Sequence, residues 1–250
     1  MSGHSRWANI KRVKGAADAK RGRVFTKLVK EITVAARIGG GNPNGNPRLR
    51  LAIDSAKQNA MPKDNIDRAI KKGTGELEGE AYSEVVYEGY GPHGVALLIE
   101  ATTDNKNRTV SEIRNMLDKA NGSLGAPNSV AWKFARKGRI AIPKKVIGEE
   151  KLMEIVLEAG AEDVQDGGEF FLVLTPHDDF HKVRDALDKA KVEVAESELA
   201  YLPTTTVKLA GREAEQVLKL MDLLDEHDDV QKVHADVEIS DEEMARIAGA

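Results

Sequence analysis

Fifteen Lys and Arg residues near the start of the chain are of the kind that neutralise phosphate: Lys11, Arg12, Lys14, Lys20, Arg21, Arg23, Lys27, Lys30, Arg37, Arg48, Arg50, Lys57, Arg68, Lys71 and Lys72. Clustered cations facing a polyanion gain affinity from released counterions, so the chemistry they offer is non-covalent capture of a nucleic-acid backbone. Residues 1–73 hold 17 Lys/Arg against 5 Asp/Glu, a balance of +12, whereas residues 74–250 hold 20 against 36, a balance of −16. The net charge of −4 hides this segregation. A solvated helix face ordinarily mixes signs. Acids this sparse mark a module aimed at a polyanion, and the acidic remainder is expected to confine that contact to one end of the molecule.

The other candidate chemistry is thin. His177 and His181 stand at i, i+4 with Asp178 between them, a superficial likeness to a zinc helix, but the motif's glutamate is missing and only Asp185 lies one turn away. A helix start, with Thr175 as cap and Asp178 at the third helical position, is the better reading. Gly39, Gly40 and Gly41 precede no Lys-Ser/Thr pair and so stop a helix rather than cradle a phosphate. Asp222, Asp225, Glu226, Asp228 and Asp229 lack the spacing of a calcium loop and read as a solvated acidic helix end that repels nucleic acid. The run Thr103–Thr109 reads as a polar loop entering a helix, capped by Asp104 or Asn105 and able to touch a partner. Trp7 is able to stack on a base or ribose, but an anchor into the helical core is the better reading. No Ser/His/Asp constellation can be assembled and there is no cysteine, so a non-enzymatic protein with no metal, cofactor or small-molecule substrate is expected.

These residues need elements to position them. Arg23–Arg37 has an amphipathic period: Phe25, Leu28, Val29, Ile32, Ala35 and Ala36 fall on one side, with Arg23, Lys27, Lys30 and Arg37 on the other as an outward stripe. A second helix is predicted over Arg48–Ala60, and a third follows Pro62, with Gly73 as its left-handed cap. Residues 73–80 read as a linker. From Tyr82 the period changes to that of strands: a hairpin about Gly89–Pro92, a helix over Arg108–Ala120 and a strand over Ser129–Ala135. Strand Arg139–Ile142, helix Glu149–Ala159, strands Asp163–Gln165 and Phe170–Leu174, helix His177–Ala190 and strand Val192–Tyr201 have the order of a ferredoxin-like unit. Strand Thr205–Leu209, helix Arg212–His227 and strand Val230–Ile239 lack partners of their own and are predicted to complete the sheet begun at Tyr82. The expected fold class is α+β and multidomain: a basic helical domain (1–80), a discontinuous α/β domain (81–136 plus 203–240) and a ferredoxin-like α/β domain (137–202).

No apolar run approaches the roughly 18 residues that span a bilayer, so no membrane role is expected. The absence of cysteine suits a reducing cytoplasm. Arg-rich residues 1–38 imitate an organelle transit peptide, but their helical patterning favours folded structure. With 4% aromatic residues, base stacking is poorly provided for.

Residues 1–37 (MSGHSRWANIKRVKGAADAKRGRVFTKLVKEITVAAR) together with GGGNP (39–43), NPRLRLAI (46–53), MPKDNIDRAIKKGTG (61–75), YEGYGPHG (87–94), TDNKNRT (103–109) and SVAWKF (129–134) resemble the YebC/PmpR family. The resemblance covers nearly the whole chain and is most specific over residues 2–75. It implies three domains around a cleft, a helical one and two ferredoxin-like α/β ones. It also implies a nucleic-acid partner: DNA for the members described as transcriptional regulators, the ribosome or its RNA for relatives that activate translation or relieve stalling at proline-rich stretches. Departures fall at Arg12 and Val13, where His-Arg is common, and at His93, where Gly is common. No helix groups Asn, Gln and Arg to read base edges, so shape and backbone are expected to dominate recognition. The acidic α/β domains are expected to position the basic domain or meet a protein partner.

Overall fold

The computed structural model describes residues 17–249, with side chains over 21–247 apart from Asp241. The chain divides into two compact units, residues 134–204 and residues 17–133 with 205–249. Among the described residues no helix is long and apolar enough to cross a membrane.

The described residues of the larger unit begin with three helices, α1 (Ala17–Gly39), α2 (Pro47–Gln58) and α3 (Lys63–Thr74). Their apolar faces meet in a core of Ile32, Ala35, Ala36, Leu49, Ala52, Ile53, Ala56, Met61, Ile66 and Ala69. Full burial of side chains such as Ile32 and Leu49 is worth about 1.5–3 kcal/mol each. Asn46 welds the first corner: its Oδ1 accepts from Leu49 N at 3.0 Å as the cap of α2, while its Nδ2 donates to the carbonyls of Ala35 at 2.8 Å and Gly40 at 2.9 Å. Gly39 leaves room for it, since a Cβ there would sit 2.6 Å from the Asn46 side chain.

Gly73 is not the cap of α3. The left-handed cap is Gly75, at φ +81°, and Gly73 lies buried inside the helix where it crosses α1. A Cβ at Gly73 would come within 2.4 Å of the Thr33 carbonyl oxygen and 2.7 Å of Ala36 Cβ. Gly73→Ala is therefore expected to lower the urea midpoint, because overpacking against backbone costs about 1–3 kcal/mol and exceeds the ~1 kcal/mol that alanine gains in helix propensity. An unchanged or raised midpoint would contradict this crossing.

A four-stranded antiparallel sheet follows, built from β1 (Ser83–Tyr90), β2 (Ala96–Thr103), β3 (Ser123–Leu124) and β9 (Val230–Ala235), in the order β3-β1-β2-β9. Its edge strand β9 comes from the C-terminal part of the chain, Leu97 pairing with Ala235 and Ile99 with Val233. Helices α4 (Lys106–Lys119) and α7 (Gly211–Asp225) cover one face: Leu97, Ile99, Val233 and Ala235 pack with Ile113, Leu117, Val217, Met221 and Leu224. A short parallel pair, β8 (Val207–Lys208) and β10 (Val237–Glu238), and α8 (Asp241–Gly249) complete the unit. At the hairpin, His93 holds φ +61°, a left-handed conformation that favours glycine, and its Nε2 lies 2.7 Å from Gln216 Oε1.

The smaller unit contains β4 (Phe134–Pro143), α5 (Glu149–Glu158), β5 (Asp163–Asp166), β6 (Phe170–Pro176), α6 (Phe180–Lys189) and β7 (Glu196–Pro203). Its sheet order, β5-β6-β4-β7 with every neighbouring pair antiparallel, is that of a ferredoxin-like fold. The larger unit's sheet likewise has four antiparallel strands and two helices, but its first hairpin occupies the centre rather than one side.

Two local expectations change. Residues 129–133 form a turn and a short 3-10 helix, not a strand, because the buried carboxylate of Glu88 gathers the N–H groups of Asn128, Val130 and Ala131 at 2.6–2.8 Å and curls the chain. Burial pushes the Glu88 carboxyl up, but these donors prevail and hold it below its ordinary value. Thr175 caps no helix: it pairs with Gly138 inside β6, and α6 begins only at Phe180. His177 therefore precedes the helix, and the pair with His181 loses its i, i+4 geometry.

Candidate nucleic-acid interface

The fifteen predicted cations separate into three groups. Lys11, Arg12, Lys14 and the side chain of Lys20, with Trp7, lie outside the described residues. Arg21, Arg50, Lys57, Arg68, Lys71 and Lys72 are exposed. The remaining five, among them the exposed Arg37, have partners within the chain.

This last group corrects the outward stripe: its cations are paired within the chain, Lys30 is buried and Lys27 largely covered, while Arg37 stays exposed. Lys30 is buried, and its Nζ donates to Asp229 Oδ1 at 2.6 Å and to the Asp228 carbonyl at 3.0 Å. Lys27 Nζ donates to Asp225 Oδ1 at 2.9 Å and to the Asp225 carbonyl at 2.6 Å. Arg23 lies 3.3 Å from Glu226, and Arg37 donates to the Tyr82 carbonyl. Arg48 grips Glu31 through two bonds of 2.8 and 2.9 Å and reaches Glu84 on β1 at 2.5 Å, which raises its already high pKa. The acidic helix end is thus not merely solvated. It supplies the counter-ions for α1, because the negative pole and carboxylates at the end of α7 meet the cations of α1.

Asp229 is the hub. One oxygen takes Lys30; the other accepts from Thr109 Oγ1 at 2.7 Å, Arg108 at 2.9 Å and Thr103 Oγ1 at 3.2 Å. Asp104 also pairs with Arg108 at 2.7 Å, while Asn105 caps α4 by accepting from Arg108 N at 3.1 Å. The polar run Thr103–Thr109 accordingly has an internal partner. Burial pushes the Asp229 carboxyl up, but Lys30, Arg108 and Thr109 outweigh it and hold the group far below the carboxylate range.

Beside this hub opens a groove of about 930 Å³ whose walls include Arg23, Lys30, Tyr82, Arg108, Glu112 and His227. Glu112, His227 and Asp229 place ligand atoms within 4.8 Å of one another. The chemistry disfavours a cation there, since Lys30 and Arg108 already neutralise Asp229. His227 Nδ1 accepts from Asp229 N at 3.0 Å, so Nε2 carries the hydrogen that faces Glu112 at 2.8 Å. The trio reads as an ion-pair network.

The outer sides of α2 and α3 keep a basic surface. Arg68, Lys71 and Lys72 recur at i, i+3, i+4 and have no carboxylate in ion-pair range among the described residues. Lys57 has only a loose contact with Asp54, at 3.9 Å. Lys63, which the charge pattern did not single out, is also exposed, at the start of α3.

Residues 5–76 match the family described as TACO1/YebC protein N-terminal domain, and residues 82–237 that described as TACO1/YebC second and third domain. The chain is 58% identical over 247 residues to a probable transcriptional regulatory protein of Geobacter sulfurreducens, covering 99% of this chain and 100% of that one. A probable transcriptional regulatory protein of Desulfatibacillum aliphaticivorans is 55% identical over 242 residues, covering 97% and 98%. The crystal structure of a conserved hypothetical protein from Aquifex aeolicus is similar with a TM-score of 0.83 at 48% identity, over 91% of this chain and 94% of that one. With both matched regions and near full-length relatives agreeing, this chain belongs to the YebC family.

Proposed function

We propose that this protein is a cytoplasmic, non-catalytic regulator of gene expression that binds nucleic acid through the basic surface of its N-terminal helices. The observation that carries the reading is the outer side of α3, where Arg68, Lys71 and Lys72 form an exposed cationic row, with Arg50 and Lys57 exposed on α2. Lys and Arg set on helix surfaces neutralise phosphates and fix position without reading sequence. The names of the relatives, probable transcriptional regulatory proteins, favour DNA as the partner. The α/β parts then position the basic helices and meet a protein partner.

A second reading, binding to structured RNA on the ribosome, draws on the same surface. The exposed cations of α3 share their helix with no Gln and a single Asn, the half-buried Asn65, which offers little for reading base edges, and A-form RNA is recognised by shape and backbone. Binding to duplex DNA and to purified ribosomes, measured at one physiological salt concentration, separates the two. Sub-micromolar, site-selective DNA binding without ribosome association supports promoter control; the reverse supports action in translation. Binding to neither would overturn the proposal.

A further inference from the structure

We infer that Arg23 and Lys27 form a second, masked phosphate-binding site, held shut by Asp225 and Glu226, which occupy it carboxylate for phosphate. The inference rests on the nucleic-acid reading above. Its physical basis is the way the helical bundle is joined to the sheet. The two apolar cores are separate clusters, and at this seam ion pairs bridge them: Arg23 to Glu226, Lys27 to Asp225, Lys30 to Asp229.

These pairs differ in burial, which sets their roles. Lys30 and Asp229 are only 9% and 4% exposed, so they are shielded from competing ions. Asp225 and Glu226 are 50% and 47% exposed and Arg23 is 42% exposed, while Lys27 is 16% exposed beneath the carboxylate that covers it. Exposed pairs exchange partners readily because water and salt screen them. Arg23 and Lys27 stand one turn apart on α1, near the exposed Arg21, and can turn to an arriving phosphate while Lys30 stays anchored. Lys27 binds both a carboxylate and the last carbonyl of α7, a negative helix end that imitates an anion's oxygens. An acidic segment laid on a basic one sets a threshold: weak or isolated anions do not displace it, whereas a continuous phosphate backbone does.

The test is Asp225→Asn/Glu226→Gln, compared with Glu149→Gln/Glu150→Gln, which removes the same charge from exposed positions on α5. Amine labelling of the free protein, read by mass spectrometry, should show Lys27 labelled severalfold faster in the first variant, with Lys30 still protected. Affinity for a duplex DNA and for ribosomal RNA at physiological salt should rise roughly threefold to tenfold over the control, as each added phosphate contact steepens the salt dependence by about 0.9 on duplex DNA. Lys27→Gln should change affinity less than twofold in the wild type, where the lysine is occupied, yet lower it severalfold in the neutralised background. Equal labelling, or affinity no higher than the control's, would overturn the masking. If no form binds nucleic acid while Lys27 labelling still rises, the functional reading fails and the ionic seam stands. Melting curves check that the neutralised variant is folded; should it not be, Asp225→Asn alone gives the same labelling comparison.

Discussion

Asp229→Ala is expected to lower stability by about 3–5 kcal/mol, because it strands Lys30 as a buried charge without its counter-ion. The effect reaches further than one pair. Arg108 is deprived of its buried partner, and the hydroxyls of Thr103 and Thr109 of a shared acceptor. For a domain of this size the melting temperature should fall by roughly 10 °C. Asp229→Asn keeps the shape and one acceptor but not the charge, and should lie between. The pH dependence has a definite sign. The folded carboxyl titrates far below its ordinary value, so the unfolded chain binds the proton first as pH falls. The contribution of Asp229 is therefore full above about pH 4 and fades as pH drops toward the lower folded value. Denaturant titrations of wild type and Asp229→Ala should accordingly converge in acid. A constant difference across that range would show that charge is not what Asp229 provides.

Neutralising Arg68, Lys71 and Lys72 together with glutamine is expected to weaken nucleic-acid binding by roughly tenfold to a hundredfold at physiological salt. On duplex DNA the salt dependence should flatten by about 0.9 for each phosphate no longer neutralised, and by less on single strands. Because all three side chains are exposed, the melting temperature should hardly move, and this separates them from the stripe on α1. Lys27→Glu/Lys30→Glu places acids against Asp225 and Asp229, so it is expected to unseat α1 from α7 and lower the melting temperature. Any drop in affinity in that variant would report on folding as much as on phosphate. If the α3 variant binds with full affinity and an unchanged salt slope, the basic surface lies elsewhere in the first 73 residues.

Several elements were legible from local pattern alone. The apolar period of α1 identified Leu28, Val29, Ile32, Ala35 and Ala36, which do pack in or against the bundle core. The ferredoxin-like order of the smaller unit followed from the alternation of short strands and helices. Where local signals failed, a distant group had taken over. Thr175 has a capping residue's chemistry but is held in β6 beside Gly138, and the strand-like residues 129–133 are curled around Glu88, some forty residues earlier in the chain. Gly73 looks like a helix end, yet the constraint on it is the backbone of α1.

The charge stripe shows the division most clearly. Periodicity determines that Arg23, Lys27 and Lys30 leave α1 on the side away from its apolar face, because side-chain direction follows from 3.6 residues per turn. It carries no information about what covers that side. Asp225 lies 198 residues from Lys27, and Asp229 lies 199 from Lys30. Only the return of the C-terminal strand to the sheet brings those carboxylates to α1. From the order of the amino acids alone follow the helices, their faces and the segregation of charge. Which cations remain open to a polyanion was settled by long-range packing, since a basic face is a surface only until an opposite charge from elsewhere in the chain is folded onto it.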